Sequence, residues 1–148
     1  MHGTLAATAR LTRRVIRPNA DPGVAGVRAA LREANVRAVH LPRPRFLALL
    51  RGAKAIVGNS SAGLIEAAVL RTPAVNVGPR QNGREKPGNV IDCGYGRRHV
   101  AAALRRAVAL DLTRLRPPYG RPGVGRRIAA HLAQVDLSRV PLRKRNTY

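Results

Sequence analysis

The chain has 148 residues, room for one domain of ordinary size rather than two. Apolar residues make up 45%, which excludes wholesale disorder, and with no Trp, one Phe and three Tyr the core must be aliphatic. The formal charge is +21, and all but three of the 28 basic residues are arginine.

The predicted elements alternate along the chain. Residues 4–11 are alanine-rich and helix-compatible. Residues 14–17 (RVIR) read as a short strand that ends in the dense turn cluster Pro18-Asn19-Ala20-Asp21-Pro22-Gly23. Val24, Val27, Ala30 and Leu31 recur at helical spacing, so residues 24–34 are a helix. Residues 36–41 alternate and form a second strand. Pro42 and Pro44 then break the chain and start a short helix over 45–51. Residues 53–57 are a third strand, and 58–63 (Gly-Asn-Ser-Ser-Ala-Gly) a small polar turn before a helix over 64–70. A fourth strand spans 73–77, a long polar loop 78–88, a fifth strand 89–93, and an amphipathic helix 97–110. Beyond Asp111 the pattern changes. Residues 115–125 are rich in Pro and Gly and read as a loop, 124–135 as a last helix, and 138–148 as a basic tail. The domain is expected over 1–135 and the tail over 136–148.

Strands alternating with helices predict an α/β fold, a Rossmann-like parallel sheet with helices on both faces. Ligands of such sheets bind at the carboxyl ends of the strands. The loops at those ends are 18–23, 58–63 and 78–88, the most unusual stretches of the chain.

The residue types in these loops suit a phosphorylated ligand. Ser60 and Ser61 add hydroxyl donors to the backbone amides of a strand-to-helix turn. Gly58 and Gly63 would allow a ligand close approach to the backbone. The alternative is a simple helix cap by one serine. The Gly-Lys-Ser/Thr ending of a Walker A loop is absent. Glu66, one of seven acids, sits on an otherwise apolar stretch. It suits either a ribose, whose hydroxyls a carboxylate accepts, or an ion pair with one of the many arginines. Arg80 and Arg84 suit bidentate phosphate contacts or a solvated loop. Asn19 suits a ligand hydrogen bond or an Asx-turn. His40 belongs to no catalytic pattern, and Cys93 reads as a small buried hydrophobe. The pattern carries binding features but no assembled catalytic constellation.

Other classes are excluded or disfavoured. One cysteine permits neither an internal disulfide nor a multi-cysteine metal site. No apolar run approaches the roughly 20 residues of a membrane span. Arg10, Arg13 and Arg14 interrupt the only stretch resembling a signal peptide, so a cytoplasmic protein with no membrane partner is expected. The charge invites a nucleic-acid reading. The arginines are nevertheless dispersed and stacking aromatics are nearly absent, so no specific nucleic-acid partner is expected. A small basic polyanion-binding domain without enzymatic activity is the alternative.

Three ordered stretches carry a resemblance: residues 18–23, then Gly58-Asn59-Ser60-Ser61-Ala62-Gly63-Leu64-Ile65-Glu66, then Asn76 to Glu85 with Gly88-Asn89-Val90. Together they resemble the UDP-N-acetylglucosamine 2-epimerase family, most closely its hydrolysing branch, over about residues 15–110. The resemblance implies two Rossmann-like domains facing a cleft, in the GT-B manner, with this chain similar to the C-terminal one. It implies that Ser60 and Ser61 hold the diphosphate of UDP and that Glu66 holds the ribose. It also implies that Asn19 and Arg80 line the site and that backbone near His40 and Leu41 meets the uracil. No cofactor is implied. The implied reaction eliminates UDP from UDP-GlcNAc to a glycal-like intermediate and adds water across C1 and C2 with C2 protonated on the other face, giving N-acetylmannosamine, with its acid and base carboxylates in an N-terminal half. That half would come from a separate chain or a homo-oligomer. The resemblance further implies a first, central strand upstream of residue 4. Strands 14–17 and 53–57 would then pair directly, be bridged by another chain, or leave the domain marginal.

Overall fold

In a computed structural model of the protein, residues 1–119, 123–136 and 138 are described. Most of the basic tail and the centre of the 115–125 loop lie outside these residues. The described elements in order are α1 (His2–Ala7), β1 (Val15–Ile16), α2 (Val24–Glu33), β2 (Ala38–Val39), α3 (Arg43–Arg51) and β3 (Ile56–Gly58). They continue through α4 (Glu66–Val69), β4 (Ala74–Val77), β5 (Val90–Cys93), α5 (Arg97–Val108) and α6 (Val124–Gln134). Single 3-10 turns at Ser61–Gly63 and Pro79–Gln81 follow β3 and β4.

The α/β class holds, and every strand pairing is parallel. The strands form two sheets rather than one continuous sheet: β1–β2, and β3–β4–β5 with β4 in the middle. Strands β1 and β3 therefore do not pair, which removes the first of the three arrangements expected from the sequence. Val15 and Ile16 pair on one side only, with Ala38 and Val39, and the ladder is confined to two residues. Parallel sheets gain stability from several strands and two covered faces. Accordingly β4 is buried throughout, while β1 and β2 are half-buried or exposed.

The core forms where α5 crosses the larger sheet. Val100, Ala103 and Ala107, at helical spacing, bury against Val75 and Val77 of β4. The cluster is aliphatic, as the composition requires. Helix α1 docks on α5 and closes on the backbone of residues 95–97. A Cβ on Gly3 would stand 2.0 Å from the Tyr95 carbonyl oxygen, so only glycine permits that approach. Helix α6 is different. Its apolar row Val124, Ile128 and Leu132 is exposed, and none of its residues is buried.

Buried polar groups tie the elements together. Thr72 donates its hydroxyl to the Leu50 carbonyl at 2.9 Å, fastening the end of α3 to the turn before β4. Asn89 is fully buried, and its Nδ2 donates to the carbonyls of Gly63 and Thr72, both at 3.0 Å. Asn89→Ala leaves two buried acceptors unmet and is expected to cost about 2–4 kcal/mol. A urea titration read by far-UV circular dichroism checks this, and an unchanged midpoint would contradict it.

Candidate functional site

Parallel strands deliver their following loops to one end of a sheet. Here the loops after β1, β3 and β4 are joined by one side chain. Arg80 forms an ion pair with Asp21 of the 18–23 cluster, and its Nη1 donates to the Asn59 carbonyl at 3.3 Å. The neighbouring Gln81 is buried and donates to the same carbonyl at 2.7 Å. The polar turn at 58–63 is thus held from its outer side by the loop after β4.

The turn itself departs from the expected helix over 64–70. Ser60 Oγ accepts from the Ala62 amide at 3.3 Å, and the Leu64 and Ile65 amides both donate to the Ser61 carbonyl. These bonds wind a 3-10 turn, and α4 begins only at Glu66 and runs four residues. So short a helix has little macrodipole to offer an anion. What remains is local: among the described residues, the Ser60 and Ser61 amides and the Ser61 hydroxyl meet no protein acceptor. Gly63 is buried against Ala74 and Ile56, so of the two glycines only Gly58 stands in open space.

Glu66 lies one turn further on. Arg43 Nη1 donates to its Oε1 at 3.0 Å, one of the two arrangements the sequence left open for it. The carboxylate is largely buried and the guanidinium largely exposed, at 20% and 69% side-chain exposure. Such a pair adds at most about 1 kcal/mol to stability. Its Oε2 has no protein donor among the described residues. Leu41, half-buried, lies two residues before Arg43 in the link between β2 and α3.

Direct contacts make two groups: Asp21, Arg80 and Asn59, the residue before Ser60 and Ser61, and Arg43 with Glu66. Asn19 and Leu41 adjoin these groups in sequence, two residues before Asp21 and Arg43. Residues 60–66 connect the groups. Asn19 is exposed and makes no side-chain hydrogen bond among the described residues. Arg84 and His40 are exposed and join neither group. Sequence reasoning missed Asp21, Arg43 and Gln81. The scarcity of acids was the usable signal, since each of seven carboxylates among 28 basic residues is a natural anchor.

A second anchor fixes the loop after β4. Asp92 accepts from Asn76 Nδ2 and from Lys86 Nζ, each at 2.7 Å. Burial pushes the Asp92 carboxyl up, but the Asn76 amide and the Lys86 ammonium outweigh it and leave the group below its ordinary value. The adjacent Cys93 thiol is pushed up by burial and by the Asp92 charge, so it stays protonated at neutral pH. Gly78 begins the loop at φ +81°, and a Cβ there would lie 2.5 Å from the Tyr95 ring. Among the described residues no three His, Cys, Asp or Glu side chains are grouped to hold a metal, and no helix is long and apolar enough to cross a membrane.

The lowered native value of Asp92 gives a signed pH dependence. Its contribution is present above the unfolded carboxylate range, near pH 4, and is lost as pH falls through the lower native value. Asp92→Asn is expected to be less stable than the parent at pH 7, by at most about 1 kcal/mol given the half-exposed carboxylate. The difference should shrink as the pH is lowered from 7 to below the unfolded carboxylate range. Thermal unfolding at both ends of that interval checks this, and a gap that widens on acidification would contradict it.

Comparison with known proteins places this geometry in a family. The profile of the UDP-N-acetylglucosamine 2-epimerase family matches residues 2–133. The chain is 35% identical over 138 residues to a UDP-N,N'-diacetylbacillosamine 2-epimerase (hydrolyzing) of Legionella pneumophila, which covers 90% of this chain and 37% of that protein. It is 34% identical over 99 residues to a UDP-N-acetylglucosamine 2-epimerase of Neisseria meningitidis, covering 64% of this chain and 26% of that protein. The matched part of the chain thus spans 26% to 37% of the length of these curated relatives. The profile match takes in both residue groups of the site, and the chain belongs to the UDP-N-acetylglucosamine 2-epimerase family.

Proposed function

We propose that this chain is the nucleotide-holding part of a hydrolysing UDP-sugar 2-epimerase, binding UDP or UDP-N-acetylglucosamine at the carboxyl ends of β1, β3 and β4. The observation that carries this reading is the 58–63 turn: two serines with unclaimed amides, fastened by Arg80 at Asn59 and followed at the start of α4 by Glu66. On this reading the Ser60 and Ser61 amides and the Ser61 hydroxyl donate to the diphosphate. The Arg80 guanidinium supplies positive charge beside it. Glu66 Oε2 accepts from the ribose hydroxyls. Asn19 lines the diphosphate side, and the backbone at Leu41 faces the base. Residues 1–135 form the binding unit, and 136–148 a basic tail outside it.

Elimination of UDP leaves charge on the departing β-phosphate, and the same donors that bind the diphosphate stabilise that charge. The other half of the reaction is removal of the C2 proton as UDP leaves, then addition of water across the resulting C1=C2 bond, the hydroxyl going to C1 and a proton to the opposite face of C2. Each described carboxylate has a partner: Asp21, Glu33, Glu66 and Asp92 pair with Arg80, His2, Arg43 and Lys86, and Glu85, Asp111 and Asp136 accept from Tyr119, Thr113 and Ser138. Following the family resemblance, we place the acid and base on the segment of the relatives that this chain does not span, supplied by another chain or a second copy. The product is then UDP and an N-acetylmannosamine-type sugar.

Calorimetric titration of the full chain with UDP tests the binding claim. Saturable one-to-one binding is expected to survive 0.5 M salt and to weaken about tenfold or more in Ser61→Ala or Glu66→Ala, the loss of one charge-assisted hydrogen bond. Binding that collapses with salt and ignores both substitutions would instead support a polyanion-binding domain.

A further inference from the structure

The Arg43–Glu66 pair asks for an explanation that stability does not provide, because its cation is mostly in solvent. Arg43 is the first residue of α3, with Pro42 before it and Pro44 after it. Both prolines restrict the backbone, so the guanidinium starts from a stiff base. Helix α3 does not need the pair to stay in place, since Thr72 holds its far end through the Leu50 carbonyl at 2.9 Å. The one thing Arg43 does alone is hold Oε1 of Glu66, leaving Oε2 without a protein donor. A carboxylate on a three-bond side chain otherwise rotates freely at its end.

We infer that Arg43 is a positioning residue that fixes the Glu66 carboxylate for a vicinal diol, and so makes the site selective for ribonucleotides over 2′-deoxyribonucleotides. This rests on the reading of the site as a UDP site. Both ribose hydroxyls are donors, and an acceptor held still by a second bond accepts them at lower entropic cost. A deoxyribose offers one donor fewer and gains less from a fixed carboxylate. Lysine at this position keeps the charge without the planar fork, and holds the carboxylate less firmly.

The test compares UDP with 2′-deoxy-UDP by calorimetry on the full chain and its Arg43→Ala, Arg43→Lys and Glu66→Gln variants, with thermal unfolding as a control for folding. The parent is expected to prefer UDP about tenfold, the ratio one charge-assisted hydrogen bond supplies. Arg43→Ala should reduce the preference to about twofold by weakening UDP, with 2′-deoxy-UDP affinity and the unfolding midpoint little changed. Arg43→Lys should fall between the two. An Arg43→Ala protein that keeps the parent ratio overturns the inference and leaves the UDP site standing. So does equal loss of both nucleotides, which would make Arg43 a direct binding or structural group. Failure of the parent to bind either nucleotide overturns the UDP reading, and this inference with it.

Discussion

Asn89 is fully buried, and its one side-chain amide serves two carbonyls that lie 26 and 17 residues before it in sequence, Gly63 and Thr72. Through Gly63 it fixes the exit of the serine turn. Through Thr72 it fixes the entry to β4, the one strand buried along its whole length. The Asn89 carbonyl also accepts the Ala74 amide and so opens the ladder between β4 and β5. An apolar residue at this position would keep the volume and lose the turn. The strand that builds the core and the loop that builds the site are therefore set by the same group.

Charge makes the second constraint. With 28 basic residues and seven acidic ones, a carboxylate here is a scarce structural resource. Three of the acids hold the site together: Asp21 on Arg80, Glu66 on Arg43 and Asp92 on Lys86. Each joins segments that periodicity keeps apart. The remaining cations around β1, β2 and α2, Arg17, Arg28, Arg32 and Arg37, line an open cleft and form no ion pair among the described residues. Four arginines without such ion pairs thus stand together at this cleft, whereas Arg43 and Arg80 of the candidate site each face a carboxylate.

Much of this was legible from local pattern. The apolar spacing at Val24, Val27, Ala30 and Leu31 marks α2, and the run Val100, Ala103, Leu104, Ala107 marks α5, because burial of one helix face imposes that spacing. The centres of all five strands were legible as short alternating or apolar runs bounded by turn residues. The split of the sheet between β1 and β3 was not decidable from composition, since it depends on which strands meet. The helix expected over 64–70 is there as α4, but its late start was not legible, because Ser60 diverts the Ala62 amide and winds a 3-10 turn just before it. In the site, Ser60, Ser61, Glu66 and Arg80 stood out by residue type. Their holders, Asp21, Arg43 and Gln81, did not, because ion pairs across 59 and 23 residues leave no local trace. The row Val124, Ile128, Leu132 shows the same limit in reverse: spacing identifies the helix but not what its face meets.

The central claim is that the diphosphate sits on the serine turn. Backbone amide NMR during a UDP titration tests it most directly. The account predicts that the Ser60 and Ser61 amides shift first and furthest, with Arg80 and Glu66 following, at high as well as low salt. Shifts confined to the Arg17, Arg28, Arg32 and Arg37 cleft, or shifts that vanish at high salt, would contradict it.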